Sequence, residues 1–459
     1  MVELKIKNIC EKIWEIERKY DLLNQQIQGV YFWKLIRFQL YKNITRSAGI
    51  FEVTTQFEQS IFQKIKDLPI VLINTYFYSA YKKKSKKDIL IFESGRKILV
   101  NNKYIDIYTE VLIKKLNDEN KNYEIIDLPH LRKHYNKPDK VRSYYEHIYI
   151  NYIFQRLFAK IKLSENELNL IFRIEKDLNL NFGINILLKN LIENTIKLFK
   201  LEKKYHKKLL VKRKVKKVYL VCSYGRESII QACKENNIEC IELQHGTMGK
   251  YHLGYSFPYN NEVPYFPDKI YLFGQFWYDN TPLPIKPENI EIVGYSYLEQ
   301  SIRQFRKLGK VKNQILFISQ WTIGTQLCEL AYQLAKNNSN FRIFYKLHPS
   351  EYNKWEAEYP ILSKANKLNN FFIVNNNDIN LYKLFAESEY VIGCYSTALF
   401  EALTLNCKAI LADLPGIEFM EYLIENGFSK LAKDYNDIIK IINQGKFKKI
   451  DRNYFFKEI

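Results

Sequence analysis

The 459-residue chain predicts an α/β protein built from two doubly wound parallel domains that face a cleft. Three observations carry this. Short, apolar, β-rich runs alternate with helix-patterned segments, first over residues 88–128 and then from 218 to 426. Several of these runs stop at residues suited to a strand's C-terminal end, namely Gln244-His-Gly-Thr247, His348-Pro349 and Ser396-Thr397. Gly294-Tyr-Ser296 reads as a hinge that divides the alternation into two series.

Residues 1–87 form an N-terminal helical region. Ile13, Ile16, Tyr20 and Leu23 recur at helical spacing. The stretch Phe32-Trp-Lys-Leu-Ile-Arg-Phe38 suits a helix–helix core and, as the lesser reading, a lipid headgroup layer. Tyr81-Lys-Lys-Lys-Ser-Lys-Lys87 is a solvated connector. The first Rossmann-like domain, assigned to the acceptor, spans 88–295. Its strands read at 88–92, 123–128, 218–222, 238–243, 269–273 and 290–293. Residues 140–210 are a helical insertion, and 255–267 an ordered loop. The second Rossmann-like domain, assigned to the donor nucleotide, spans 296–445. Its strands read at 314–319, 341–347, 371–374, 390–394 and 408–412, with helices between them. Residues 446–459 are a C-terminal tail.

The net charge is +20 and the pI about 9.3, which points to an acidic partner. The densest basic run is Lys203 to Lys217, the best candidate for an anionic membrane surface. No nucleic-acid module appears, so no nucleic acid is expected as partner, and a basic nucleic-acid-binding protein is the weakest of the readings. The seven cysteines are scattered without a CxxC pair, as in a reduced protein without a zinc site. The chain opens without an apolar signal segment, and Leu68 to Tyr78 is too short to span a bilayer. A cytoplasmic location is expected, peripheral on the inner face of the membrane if it touches one.

The chemistry gathers at the strand ends. Pro349 cannot continue a ladder and holds His348 extended, so its imidazole is offered at the end of a strand, with Lys346 two residues before it. Ser396 and Thr397 suit the cap of a helix, whose first N–H groups and dipole make an anion site. Glu401, one turn further on, suits a pair of ribose hydroxyls. In the other domain His245 precedes Gly246 and Thr247, where glycine permits close approach of a ligand. A histidine there is placed to take a proton from an acceptor hydroxyl. His252 is a second candidate base and Glu93 a third. No metal-binding Asp-x-Asp is evident, and there is no GxGxxG or P-loop.

Gln244-His-Gly-Thr247, Lys346-Leu-His-Pro349 and Tyr395-Ser-Thr397 with Glu401 resemble, in that order, the motif series of GT-B glycosyltransferases of bacterial surface-polysaccharide synthesis. The sialyl-, polysialyl- and Kdo-type transferases are similar in their His-Pro and Ser motifs. The CDP-glycerol glycerophosphotransferases are similar in His-Gly-Thr, His-Pro and Ser-Ser. The resemblance covers about 215–430. It implies that His348, Ser396 and Thr397 hold the donor's phosphate and that His245 is the base. It implies a nucleotide-sugar donor, CMP- or UDP-type, and no further cofactor. It also implies a glycan or lipid-linked glycan acceptor and an inverting, metal-independent transfer into capsule or O-antigen. The alternative is a CDP-polyol phosphotransferase of teichoic-acid-like polymers. Two departures stand out. Sialyl- and Kdo-type enzymes carry an acidic motif where this chain has Gln244-His-Gly246, and the glycerophosphotransferase His-Gly-Thr-Pro-Leu-Lys reads His-Gly-Thr-Met-Gly-Lys here.

Overall fold

A computed structural model describes residues 5–52, 69–82, 85–95, 97–100, 103–129, 134–145 and 161–459. Two parallel sheets dominate it. The first holds seven strands. They are β1 (Ile89–Phe92), β4 (Tyr123–Asp127), β5 (Arg142–Tyr144), β6 (Lys217–Val221), β7 (Glu239–Leu243), β8 (Lys269–Leu272) and β9 (Ile290–Ile292). A small antiparallel hairpin, β2 (Ile98–Val100) and β3 (Lys103–Ile105), stands apart from it. The spatial order is β5-β4-β1-β6-β7-β8-β9. The second sheet holds β10 (Val311–Ile318), β11 (Arg342–Lys346), β12 (Phe371–Val374), β13 (Ser388–Gly393), β14 (Lys408–Ala412) and β15 (Ser429–Ala432), in the order β12-β11-β10-β13-β14-β15.

Both sheets therefore wind outward in two directions from their first strand. This is the doubly wound order, whose crevice opens at the strands' carboxyl ends where the winding reverses. In the second sheet the reversal lies between β10 and β13. The His-Pro and Ser-Thr loops follow β11 and β13, so β10 stands between them and they are not on adjacent strands. The strands are near-continuous apolar runs because helices cover them, as in β6 (Val218, Tyr219, Leu220 and Val221 all buried).

Strand β5 interrupts what reads as a helical insertion, since Arg142-Ser-Tyr144 pairs with β4 through only three residues. Two long helices follow, Glu165–Phe182 and Leu188–Arg213. The first begins on a capping box: Ser164 accepts from the Glu167 N–H while the Glu167 carboxylate accepts from the Ser164 N–H. Strand β15 and the helix Tyr435–Gln444 are additions to the expected second domain.

The N-terminal helices Ile6–Lys19 and Phe32–Ser47 are core elements. Phe32 and Trp33 are fully buried, which decides between the two readings of that stretch in favour of helix–helix packing. Buried Arg37 ties the pair together, with Nε 2.5 Å from Glu17 Oε1 and one amino group donating to the Leu253 carbonyl. The same region reaches the second domain: the Glu52 carboxylate accepts from the Thr325 N–H at the start of the helix Gly324–Asn337. The C-terminal tail runs the opposite way. Its helix Arg452–Phe455 returns to the first domain, where Trp277 Nε1 donates to the Phe455 carbonyl at 2.8 Å. Gly274 is required there, because a Cβ would lie 2.3 Å from that carbonyl oxygen. Gly294, in the expected hinge, has φ +79° and sits 2.5 Å (as a built Cβ) from the Lys457 carbonyl. The tail thus braces the hinge.

Candidate functional site

On the second sheet, the His-Pro loop folds over a buried carboxylate. Glu351 has no exposed surface and accepts from the His348 N–H at 2.5 Å, from Ser319 Oγ at 3.0 Å and from the Tyr359 hydroxyl at 2.9 Å. Burial raises its pKa, and those donors oppose the rise. The Ser350 N–H donates to His348 Nδ1 at 3.2 Å, and Ser350 Oγ lies 2.7 Å from the same nitrogen. That pattern assigns the ring proton to Nε2, the nitrogen suited to donate to a phosphate oxygen. Pro349 is exposed and ends the strand.

Lys346 departs from the expectation that it faces phosphate beside His348. It is 7% exposed, and its ammonium donates to the Tyr352 hydroxyl and, at 2.7 Å, to the Asn376 carbonyl. Burial lowers its pKa to about 8. Its charge is spent on joining β11 to the loop after β12.

Ser396 is the N-cap of the helix Thr397–Thr404, and its Oγ accepts from the Ala398 N–H at 3.2 Å. One of the helix's leading N–H groups is therefore satisfied internally. The Ser396 hydroxyl proton, the Thr397 hydroxyl and the helix dipole remain for an anion. Gln320, after β10, accepts from the Tyr395 N–H at 3.1 Å and fixes the approach to this cap. Glu401 also differs from expectation. It is 7% exposed, accepts from the Tyr382 hydroxyl at 2.7 Å, and burial raises its pKa to about 7. Its carboxyl is directed into a tyrosine cluster, so it anchors the helix and offers no open carboxylate to a ribose.

On the first sheet, His245 follows β7 and sits inside a chain of hydroxyls. Tyr255 donates its hydroxyl proton to Glu242, which is fully buried and also accepts from the Ser223 N–H at 3.0 Å. Having given that proton away, the Tyr255 oxygen can only accept from His245 Nδ1, 3.4 Å away. The network thereby assigns Nδ1–H and leaves Nε2 as the basic nitrogen. Nε2 lies 3.2 Å from the Tyr224 hydroxyl, which marks a position for an oxygen donor. Burial raises the pKa of Glu242 to about 7.

Gln244 shapes this loop. Its amide donates to the Gly246 carbonyl at 2.8 Å and accepts from the Phe273 N–H at 2.8 Å. Thr247 is half-buried behind it. Across the cleft, a Cβ on Gly246 would lie 3.5 Å from Thr397 Oγ1, so the His-Gly-Thr and Ser-Thr loops meet. His252 lies outside this line. It stacks on Phe38 at 5.2 Å, and burial lowers its pKa to about 4, so it supports the rings of Tyr224 and Tyr255. Glu93 is likewise unsuited as a base: it is buried, held by Lys97 and by Arg142 at 2.5 Å, and accepts from Thr109 Oγ1 at 3.3 Å.

The sequence reading passed over Glu351, Gln320, Glu242, Tyr224 and Tyr255. Glu242 had a signal: a carboxylate in mid-strand, flanked by Ile241 and Leu243, must find buried partners. The tyrosines had none, since their contacts join loops after different strands. A cavity of about 420 Å³ opens beside His245, lined among others by Tyr224, Arg226 and His206. A larger groove, about 750 Å³, runs along a face of the first sheet from Lys115 to Tyr295 and contains none of the motif histidines.

No protein-family model matches the chain, and no curated protein matches it. Solved structures with a similar course exist. The UDP-GlcNAc 2-epimerase of Methanocaldococcus jannaschii, in complex with UDP-GlcNAc and UDP, is 13% identical over 80% of this chain and 95% of its own, with a TM-score of 0.47. The wall teichoic acid polymerase TagF is 13% identical over 86% and 91%, with a TM-score of 0.41. A glycosyltransferase from Rickettsia africae is 14% identical over 78% and 88%, with a TM-score of 0.40. At these identities and TM-scores the likeness carries no weight for the chemistry of this chain, which rests on its own residues.

Proposed function

We propose that the protein is a glycosyltransferase that moves a sugar from a nucleotide-sugar donor to a growing surface-polysaccharide acceptor of capsule or O-antigen type, with inversion. One observation supports this above the others: the loop carrying His245 meets the Ser396-Thr397 cap across the cleft. In this reading His348 Nε2–H and the Ser396 and Thr397 hydroxyls hold the donor phosphate. The acceptor hydroxyl takes the place of the Tyr224 oxygen at His245 Nε2. As that oxygen bonds to the anomeric carbon, its proton passes to Nε2. The bond from the anomeric carbon to the phosphate oxygen breaks on the opposite side, and the leaving charge falls to the helix N-terminus and its hydroxyls. The imidazolium formed donates a hydrogen bond from Nδ1–H to the Tyr255 oxygen, whose own hydroxyl proton is held by Glu242.

A thermal-shift panel of UDP, GDP, CMP and CDP tests the donor half of the reading. One nucleotide is expected to raise the melting temperature, because a ligand that binds only the folded state stabilises it. Absence of a shift with all four, at millimolar concentration, would discard a nucleotide donor. A CDP response together with transfer of a polyol phosphate would favour the phosphotransferase alternative.

A further inference from the structure

We infer that the cavity beside His245 is an anion subsite, in which Arg226 receives a phosphate ester carried by the acceptor while the acceptor's hydroxyl meets His245. The inference rests on the proposed role of His245 as the acceptor-side base. The cavity is about 420 Å³, large enough for a sugar or polyol phosphate, and lies at the carboxyl ends of β1, β4, β6 and β7. Arg226 and His245 both line it.

Arg226 is half-buried, and its guanidinium makes no hydrogen bond or ion pair with any described residue. A guanidinium kept within a cavity without a partner is unusual, because its planar donors are suited to a bidentate oxyanion. The carboxyl in the same cavity, Glu202, does not neutralise it by contact. Its Oε2 accepts from Ser228 Oγ at 2.8 Å, and burial raises its pKa to about 7. A second observation is independent of Arg226. His206, on the helix Leu188–Arg213, is 2% exposed and lines the cavity, and its Nδ1 has no hydrogen-bond partner among the described residues. Its Nε2 lies 2.7 Å from the Tyr145 hydroxyl. A buried polar atom left unsatisfied is costly, and a ligand or its bound water would relieve that cost. The cavity therefore combines one cation without a contact ion pair, an orphan ring nitrogen and the proposed base, which together describe an acceptor bearing both a hydroxyl and an anion. A phosphate ester fits the two-pronged fork of Arg226 while leaving further oxygens for neighbouring hydroxyls.

Calorimetry on the full chain, with glycerol 3-phosphate as the probe and glucuronate for comparison, tests this. Glycerol 3-phosphate is expected to bind saturably, at least tenfold more weakly to Arg226→Gln, with partial recovery in Arg226→Lys. His348→Ala is expected to leave its affinity unchanged. The Arg226 side chain holds no other described residue, and its backbone bonds at the start of the helix Glu227–Lys234 survive the change, so the Arg226→Gln protein should keep its melting temperature. Equal affinity in wild type and Arg226→Gln would overturn the subsite. So would loss of binding in His348→Ala instead, which would put the probe among the donor loops. Tighter Arg226-dependent binding of glucuronate than of glycerol phosphate would overturn the phosphate class. Arg226-dependent binding without any sugar transfer would sink the glycosyltransferase reading and leave the subsite standing.

Discussion

The two sheets share one winding order, yet their carboxyl ends carry different chemistry. On the second sheet, β11 and β13 end in loops made by local bonds: His348 with Ser350 and Glu351, and Ser396 with Ala398. Those loops expose small donors and a helix dipole, which is what an anion needs. On the first sheet, β7 ends in a histidine wired to Glu242 through Tyr255 and facing Tyr224. In the proposed reading that arrangement moves a proton. On the proposed function, one scaffold supplies charge stabilisation on one side of the cleft and basicity on the other, and the difference lies in loops only a few residues long.

If that division holds, the two sides should separate in kinetics. His245→Gln should lower turnover by about 10²–10⁴-fold, the usual contribution of a positioned base, while donor affinity by calorimetry stays within twofold. A matching loss of donor affinity would break the comparison. The complementary pair, His348→Ala and Ser396→Ala, should each weaken nucleotide binding by about 1.5–3 kcal/mol, the worth of a hydrogen bond to a charged group. Ser396→Ala should also lower the melting temperature slightly, since the cap itself contributes about 1 kcal/mol.

A smaller effect concerns stability. Glu242 and Glu401 are both buried with folded-state pKa values of about 7, above the ordinary glutamate value. The folded protein then binds protons that the unfolded chain releases near pH 4.5. Stability from these groups is complete below that pH and is lost as pH rises through about 7. Urea denaturation should show it falling between pH 5 and 8 by on the order of a few kcal/mol, and Glu401→Gln should flatten part of the slope. A flat profile in wild type would show that the cluster around Glu401 keeps the carboxylate ionised.

The smallest effect concerns the basic helix. Lys203 and Lys207 pair with Glu235, Lys216 with Asp88, Lys217 with Glu239, and Arg213 is buried against Glu124. Much of the run's charge is spent within the fold. Anionic vesicles should therefore draw on exposed lysines such as Lys204 and Lys208, at about 1 kcal/mol each near the surface. Co-sedimentation of Lys204→Glu/Lys208→Glu should fall modestly and vanish in high salt; insensitivity to both would leave the helix a solvated face.

Most of the strands, and the positions of His245, His348 and Ser396 at their ends, are legible in the sequence, because apolar runs, Pro349 and a helix cap act within a few residues. The sequence does not say how Lys346 and Glu401 are used. Strand alternation and helical spacing give a direction, and only packing tells that Tyr352 and Tyr382 wait there. The same limit hid the bracing tail and the meeting of Gly246 with Thr397, since these join residues more than a hundred positions apart. The relay from His245 to Glu242 was equally out of reach. A tyrosine reads as core until a folded chain shows which buried polar atom its hydroxyl must satisfy.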